Sequence, residues 1–406
     1  GTVTVNDTAN KSQANTIGGY AKAVSFSISD NAGNVSTINS SALNEAVNIT
    51  VTGTATIAQA KIIDDATNSG TNSYNINDTA NNIFLGDSVA IIAAGTVTAS
   101  NATNVAQANR ISGFSKAVTY DISDTSANLA GANSEALKQA VAVTATDVAT
   151  VAQATTIKNG GNSGTTTYSI TDTAAAIAGA SQTVLDGAQN IVTTDDPNIV
   201  QATTIDNAEN QGDNTYNIND TAALIAASSN AVLTKAQTVT ANTNATPAEA
   251  TTISDFTKAV VYNIEGSATA IAALGDAARN EAVKIIVDGN ANVAQAKTIT
   301  DATNSGANTF NIFDTAAAIA AGITADSTSL LEAGTRTVDG TANVAQAIIL
   351  CGLSKDVIYN LHDTAANISN AKLAVRDEAV NISISDTATV LQAEIIDAAR
   401  NTGSNT

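Results

Sequence analysis

Apolar and polar residues alternate in Tyr168-Ser169-Ile170-Thr171, which places Tyr168 and Ile170 on one face of a strand and the two hydroxyls on the other. Asp172 and Thr173 come next, then Ala174-Ala175-Ala176-Ile177. Asp and Thr are good helix N-caps because a side-chain oxygen accepts from orphan backbone N–H groups. A carboxylate is also favoured at the positive end of the helix dipole, and alanine favours helix. The pattern therefore predicts strand, cap and helix. Variants of it stand at residues 74–83, 120–129, 216–225, 310–319 and 359–368.

A second landmark is Ala-Gln-Ala, centred on Gln59, Gln107, Gln153, Gln295 and Gln346, with variants at Gln13, Gln201, Glu249 and Gln392. Successive spacings are 46, 48, 46, 48, 48, 46, 51 and 46, narrow enough to establish an internal repeat. Between these landmarks lie eight aromatics, Phe26, Tyr74, Tyr120, Tyr168, Tyr216, Tyr262, Phe310 and Tyr359. Each is followed two residues on by Ile28, Ile76, Ile122, Ile170, Ile218, Ile264, Ile312 or Leu361. These pairs read as an inward-facing row.

Each repeat divides into two halves. In the first, residues 49–52 read as a strand and 55–66 as a helix carrying Ile57, Ala60 and Ile63 on one side. In the second, 74–77 read as a strand and 80–94 as helical, often in two pieces, as at 127–130 and 134–141. The longer linkers, such as Asn68-Ser69-Gly70-Thr71, Asn162-Ser163-Gly164-Thr165 and Asn304-Ser305-Gly306-Ala307, suit helix C-caps of positive φ. Shorter linkers at 113–118 and 255–260 account for the alternation of 46 and 48. Extra residues at 324–329 account for the spacing of 51.

Strand–helix coils of about 24 residues, two to a repeat of about 47, predict an α/β repeat fold, a parallel β/α solenoid. It is expected to run over residues 1–406 as one continuous array of about 8.5 repeats, its strands in a single parallel sheet with helices as crossovers. About 17 strands at roughly 4.8 Å give a ribbon near 80 Å long. Residues 1–5 match an internal strand, and residues 401–406 stop where an aromatic strand is due. The chain is therefore expected to be a segment of a longer protein, with open strand edges that lead to end-to-end or lattice self-association.

Composition narrows the function. Aromatics are 3% of the chain, with no Met or Trp, so Ala, Val, Ile and Leu must fill the core. The formal net charge of −20 argues against nucleic acid and anionic membrane as partners. No apolar run is long enough for a membrane helix. Cys351 is the single cysteine, so no intrachain disulfide forms.

The candidate sites are few. Asp78, Asp124, Asp172, Asp220, Asp314 and Asp363, with Asp30, form a series along one edge. The functional reading is calcium bound by oxygen ligands; the structural reading is one N-cap per helix, supported by the Thr that usually follows and by Gly266 replacing Asp in one copy. Outward Thr50, Thr52, Asn75, Asn77, Thr144, Thr171, Asn217, Asn219 and Asn311 form a polar ladder that could recognise glycan or ice, or stand simply as a solvated face. His362 beside Asp363 lacks a matching nucleophile and reads as a surface substitution. Cys351 reads as a partly buried thiol, and Gly160-Gly161 with Gly164 makes no phosphate loop. No catalytic residue and no cofactor follow from the sequence.

With Tyr-x-Ile-x-Asp-Thr-Ala-Ala and Ala-x-Val-Ala-Gln-Ala-x-x-Ile both in hand, the whole chain resembles the repeat arrays of very large bacterial secreted surface proteins. These are the adhesins and S-layer-like proteins grouped with repeats-in-toxin exoproteins. The resemblance implies an extracellular, structural role: filament, surface layer or adhesin stalk. The calcium nonapeptides frequent in such proteins are missing here.

Overall fold

The structure is a computed structural model that describes residues 3–325 and 327–406. Gly1, Thr2 and Asp326 lie outside the described residues, so the strand expected at residues 1–5 is seen from Val3 on and the insertion at 324–329 is seen without Asp326. By internal contacts the chain forms two compact regions, Gly1–Asp195 with Thr204–Thr215, and Asp196–Thr203 with Tyr216–Thr406.

Both regions are built from the two alternating half-repeats. A glutamine module is a strand and one helix, as in Ile49–Ala55 followed by Ile57–Asp64, and the helix buries Ile57, Ala60 and Ile63 as their spacing predicts. An aromatic module is a strand and two short helices, as in Asn72–Asp78, Ala80–Leu85 and Ser88–Ala93. The break between the two short helices recurs in all eight aromatic modules.

Among the described residues every strand pair is parallel, and within each sheet the strands lie in chain order. The expected single sheet does not form. Among the described residues the first region holds a six-stranded and a five-stranded sheet, and the second a two-stranded and a six-stranded one. The sheets end where the aromatic strand is interrupted, between Val118–Thr119 and Ile122–Asp124 and between Asn214–Thr215 and Ile218–Asp220, and where Val239–Ala241 reaches the next aromatic strand only through single bridges. Within the sheets the glutamine strand carries an excess of two residues. Thr50 pairs with Ser73, but the next pair is Thr54 with Asn75, so four residues face two and the excess bulges out. The same shift separates Thr144 from Val148, Ile286 from Asn290 and Thr337 from Thr341. At three of these bulges the crest is Gly53, Gly289 or Gly340, with φ of 85°, 86° and 85°, a conformation open to glycine. In Val97–Ala99 and Val239–Ala241 the strand stops after three residues, and contact resumes only as single bridges, Thr103 to Ile122 and Ala245 to Ile264.

The linker glycines play a different part from the one expected. Gly70, Gly164 and Gly306 are not at positive φ, and the helices before them end on Asp65, Asn159 and Asp301 with negative φ. What these positions require is closeness: a Cβ on Gly164 would stand 2.5 Å from the Val141 carbonyl oxygen, and one on Gly306 2.7 Å from that of Val283. The linker asparagines hold the same carbonyls, Asn68 Nδ2 donating to Val47 O at 3.0 Å and Asn304 Nδ2 to Val283 O at 3.1 Å.

The core follows the predicted row. All eight aromatics and the Ile or Leu two residues after each are at most 2% exposed. The second alanine of the glutamine motif is sealed as well: Ala14, Ala60, Ala108, Ala154, Ala202, Ala250, Ala296 and Ala347 are all at 0%, which explains the requirement for a small residue there. Each buried hydroxyl needs a partner. Tyr74 donates to Ala90 O at 2.9 Å, Tyr168 to Val184 O at 2.7 Å and Tyr262 to Ala278 O at 2.9 Å, in each case a carbonyl of the second short helix in the same module. Burial pushes the Tyr168 hydroxyl up to about 12.

Three arginines enter positions that other repeats give to aliphatic residues. Arg279 and Arg376 stand where Leu43, Leu137, Leu185 and Leu233 are buried elsewhere. Arg376 Nη1 donates to the carbonyls of Ile368, Ser369 and Ala371 at 3.1, 3.0 and 2.9 Å, and Arg279 does the same for Ala272 and Leu274. The guanidinium thus satisfies carbonyls at the end of the preceding helix, where a cation is also favoured. Arg336 sits in the strand row of Ile49 and Ile285 and donates to Leu330 O and Ala333 O.

Replacing Tyr168 separates the packing of the ring from its bond. Tyr168→Phe should cost roughly 1–3 kcal/mol by leaving the Val184 carbonyl unpaired. Tyr168→Asp should cost more, by placing an unpartnered charge in the core. Chemical denaturation of both variants checks this; unchanged stability of the Asp variant would contradict the inward row.

Candidate functional site

The polar residues that recur in every repeat converge on one place, the N-termini of the helices. A helix leaves its first N–H groups without internal partners, and helices here are only four to nine residues long, so these groups are a large share of each helix. In the glutamine modules the motif residue is the third helical position of a capping box. Asn104 Oδ1 accepts the Gln107 N–H at 2.9 Å, and Gln107 Oε1 accepts the Asn104 N–H at 3.1 Å. The same reciprocal pair joins Thr56 with Gln59, Asn198 with Gln201 and Asn343 with Gln346. It also accounts for Glu249, whose carboxylate accepts the Thr246 N–H at 2.8 Å. The signal is present in the sequence as Asn/Thr-x-x-Gln, which the Ala-Gln-Ala spelling obscures because it stresses the wrong neighbours.

The aspartate series does not supply the caps expected of it. The cap of each aromatic-module helix is the next residue, Thr79, Thr125, Thr173, Thr221, Thr315 or Thr364. The aspartate reaches across to the preceding glutamine module and accepts the N–H of its first helical residue through Oδ2. Asp78 takes Ile57 at 2.8 Å and Asp124 takes Val105 at 2.9 Å; Asp172 takes Val151, Asp220 takes Ile199, Asp314 takes Val293 and Asp363 takes Val344, each at 3.0 Å. Asp30 accepts from Lys11 in the same way. The other oxygen, Oδ1, accepts the N–H of the following Thr and, in four copies, the side-chain amide of an asparagine four residues on, as Asn82 does for Asp78 at 2.8 Å. The carboxylate therefore staples one module to the next.

One copy shows what the aspartate is for. The glutamine module at Pro247–Ser254 begins with proline, which has no N–H to donate and is well suited to the first helical position. The residue that should reach it is Gly266, where a Cβ would meet Pro247 Cγ at 2.8 Å and Cδ at 2.9 Å. With no donor and no room, the carboxylate is dropped.

In five copies a second staple runs from the aromatic helix to the next glutamine module. Ala80 N–H donates to Asn101 Oδ1 at 2.9 Å, Ser126 to Asp147 Oδ1 and Ala174 to Asp195 Oδ1 at 2.6 Å, Ala222 to Thr243 Oγ1 at 3.0 Å and Ala365 to Asp386 Oδ1 at 2.6 Å. The corresponding positions elsewhere hold Gly53, Gly289 and Gly340, the bulge crests.

The calcium candidates Asp78, Asp124, Asp172, Asp220, Asp314 and Asp363 are thus each engaged through both oxygens, and among the described residues no three His, Cys, Asp or Glu side chains gather as metal ligands. Three of the carboxyls have moved down. For Asp124 burial acts upward, but the N–H of Val105, the Asn128 amide and the N–H of Thr125 outweigh it. Asp363 is held down in the same way, with His362 adding a little. Asp30 is lowered chiefly by the Lys11 N–H.

The remaining candidates disperse. His362 is exposed and shares a hydrogen bond with Ser383 of the adjoining strand at 2.8 Å, away from the staple made by Asp363. Cys351 ends the helix Val344–Leu350 and lies 3.2 Å from the Tyr359 hydroxyl; burial pushes its thiol up to about 11, far from a thiolate at neutral pH. The outward ladder residues are exposed or half-buried, and several hold the next strand in place: Asn75 Oδ1 accepts the Thr96 N–H at 2.8 Å, and Asn311 Oδ1 that of Thr335 at 2.9 Å. Gly161 turns the chain after the helix Val151–Lys158 with φ of 74°. No helix among the described residues is long and apolar enough to cross a membrane. Comparison with protein-family models and with curated proteins found no match to the chain.

Asp78→Ala should cost roughly 1–3 kcal/mol, the range for losing a hydrogen bond to a charged group, with Asp78→Asn intermediate. Amide exchange at Ile57 should quicken in the Ala variant; if only the helix Ala80–Leu85 loosens, the staple is not the source. Gly266→Asp alone should destabilise, and adding Pro247→Val should recover stability by restoring the donor; equal melting of the single and double variants would contradict the pairing. The lowered carboxyls set the acid limit. Their contribution is complete above the ordinary value near 3.8 and is lost as pH falls through and below it, so unfolding should set in below about pH 4 and shift upward in Asp124→Asn.

Proposed function

We propose that this chain is a structural segment of an extracellular surface protein, a continuous parallel β/α solenoid over residues 1–406 whose repeats stack and self-associate into a filament, a surface layer or an adhesin stalk. The observation that carries this reading is the use made of the repeated polar residues. Asp, Asn, Thr and Gln join one module to the next with the same bonds in copy after copy. Among the described residues the departures from this scheme, such as Arg336 and Arg376, bond to backbone carbonyls of their own surroundings. The reading assigns no catalysis, no cofactor and no nucleic-acid or membrane-inserted partner; the charge of −20 favours a hydrated surface. The resemblance to secreted repeat arrays supports a place outside the cell.

Two measurements test it. Small-angle scattering of the chain should give a maximum dimension near 80 Å, from about 17 strands at roughly 4.8 Å, against roughly 55–60 Å for a globule of this length; the globular value overturns the solenoid. Antibody labelling of intact cells should stain the surface, and staining only after permeabilisation overturns the location. Saturable binding on a glycan array or in a calcium titration would replace the structural reading with recognition by the polar strand face or the aspartate edge.

A further inference from the structure

One aromatic module carries an apolar outer face unlike that of the others. In its helices Ala80–Leu85 and Ser88–Ala93, Leu85, Val89 and Ile92 are 67%, 62% and 53% exposed, and Ile62 of the neighbouring helix Ile57–Asp64 is 46% exposed. The repeat supplies the expectation at each position. The row of Leu85 holds Gly131, Ala227 and Asn370 elsewhere, that of Val89 holds Ser41, Glu135 and Thr183, and that of Ile92 holds Lys138, Asp186 and Thr234. No other aromatic module places a large apolar residue in more than one of these three rows. A shallow groove of about 340 Å³ beside Leu85, lined in part by Ile57, Ala58 and Gly86, widens the face. Aliphatic side chains gathered in this way on a surface mark an interaction site.

The charges around the face are divided. The strand of this module lies between those of the two glutamine modules that flank it, so their helices border the face on either side. Along Ile57–Asp64 stand Asp64, Asp65 and Asp87 with Lys61, which bridges Asp65 at 3.0 Å and Asp87 at 3.1 Å. On the opposite border the helix Val105–Ile111 brings Arg110 over the Phe84 ring, 5.2 Å from its centre. Lys116 follows in the linker, and Glu135 and Lys138 stand on Ser134–Gln139, the helix packed against it. Aspartate outnumbers lysine on one rim, and cations outnumber glutamate on the other.

We propose that this face pairs with the same face of a second copy, the two chains lying side by side in opposite directions about a two-fold axis. The charges select the occupant. Copies that each carry a net charge of −20 repel one another at long range, so lateral contact needs a face on which the two signs are set apart. A two-fold axis through the module of Leu85 reverses the order of the flanking modules. It lays the acidic rim of each copy on the basic rim of the other, with Asp65 opposite Arg110 twice. The surface is then complementary to itself, as an isologous contact requires, with an aliphatic centre and a charged rim. The inference goes beyond the stacking reading, because modules stacked along one chain need no side-by-side contact.

The test is analytical ultracentrifugation of the full chain over a series of concentrations. The wild type should pass from the mass of one chain to twice that mass. The combined variant Leu85→Asn, Val89→Glu, Ile92→Lys gives each row a residue that another module carries there, as at Asn370, Glu135 and Lys138. It should melt as the wild type does, yet dimerise roughly tenfold or more weakly. Arg110→Glu and Asp65→Lys should each weaken the dimer, and the chain carrying both should regain it, because the exchanged charges meet again across the axis. If the triple variant melts early, the charge exchange decides, since it touches no apolar residue. Three results overturn the proposal: a wild type that stays monomeric throughout, a folded triple variant that associates as tightly as the wild type, or a double charge variant no tighter than its singles. The maximum dimension of the monomer, read by scattering at low concentration, is independent of all three, so the solenoid reading and the lateral dimer stand or fall separately.

Discussion

The first N–H of each helix sets the terms for everything else in this protein. A helix of five to eight residues is marginal on its own, and its unpaired donors weigh more heavily the shorter it is. Burying many such helices is tolerable only if each donor finds an acceptor. The chain solves this in two steps. A capping box or a Thr cap satisfies the third helical residue from within the module, and a side chain from the next module satisfies the first. Because that second acceptor belongs to a neighbour, helix formation and module stacking become one process. The unusual composition, rich in Asn, Thr and Asp but poor in charged residues overall, follows from what such contacts need: short acceptors in fixed places, not long charged side chains.

The apolar side obeys the same economy of size. Alanines at 0% exposure let the helices approach closely, and one aromatic per repeat supplies the bulk that alanine lacks. The hydroxyls of Tyr74, Tyr120, Tyr168, Tyr262 and Tyr359 each return to a carbonyl of their own module. The exceptions are as regular as the rule. Arginine replaces leucine only where its guanidinium can collect helix-end carbonyls, and glycine replaces aspartate only where proline has removed the donor. In each, a change at one position is matched at its contact.

Much of this was legible in the chain itself. The period, the two halves, the inward Tyr and Ile and the buried side of the glutamine helix depend on short-range patterns, and these hold. The aspartates were legible as helix-start residues but not as staples, because their partner stands 19 to 21 residues earlier and a single carboxylate next to a good Thr cap reads as local. The pairing of Pro247 with Gly266 was the available clue. The bulges were hidden for a related reason: two residues in excess on one edge leave no mark on hydrophobic alternation, and Gly53, Gly289 and Gly340 look like ordinary turn residues. The linker glycines misled in the opposite direction, since the demand on them comes from a neighbouring carbonyl and not from their own φ.

The fixed separation of the stapled partners has a consequence for the newborn chain. A donor in one module and its acceptor in the next are about 20 residues apart, so the loop that must close is short and nearly the same each time, with a small and uniform entropic cost. Contacts of this kind can be completed during translation. At ordinary elongation rates, on the order of 5–20 residues per second, a new module leaves the ribosome every few seconds, far longer than the time a short helix needs to form. An arriving aspartate supplies the acceptor for the helix made just before it, so a polypeptide of this design can acquire order from its N-terminal modules once several have stacked, without waiting for its far end.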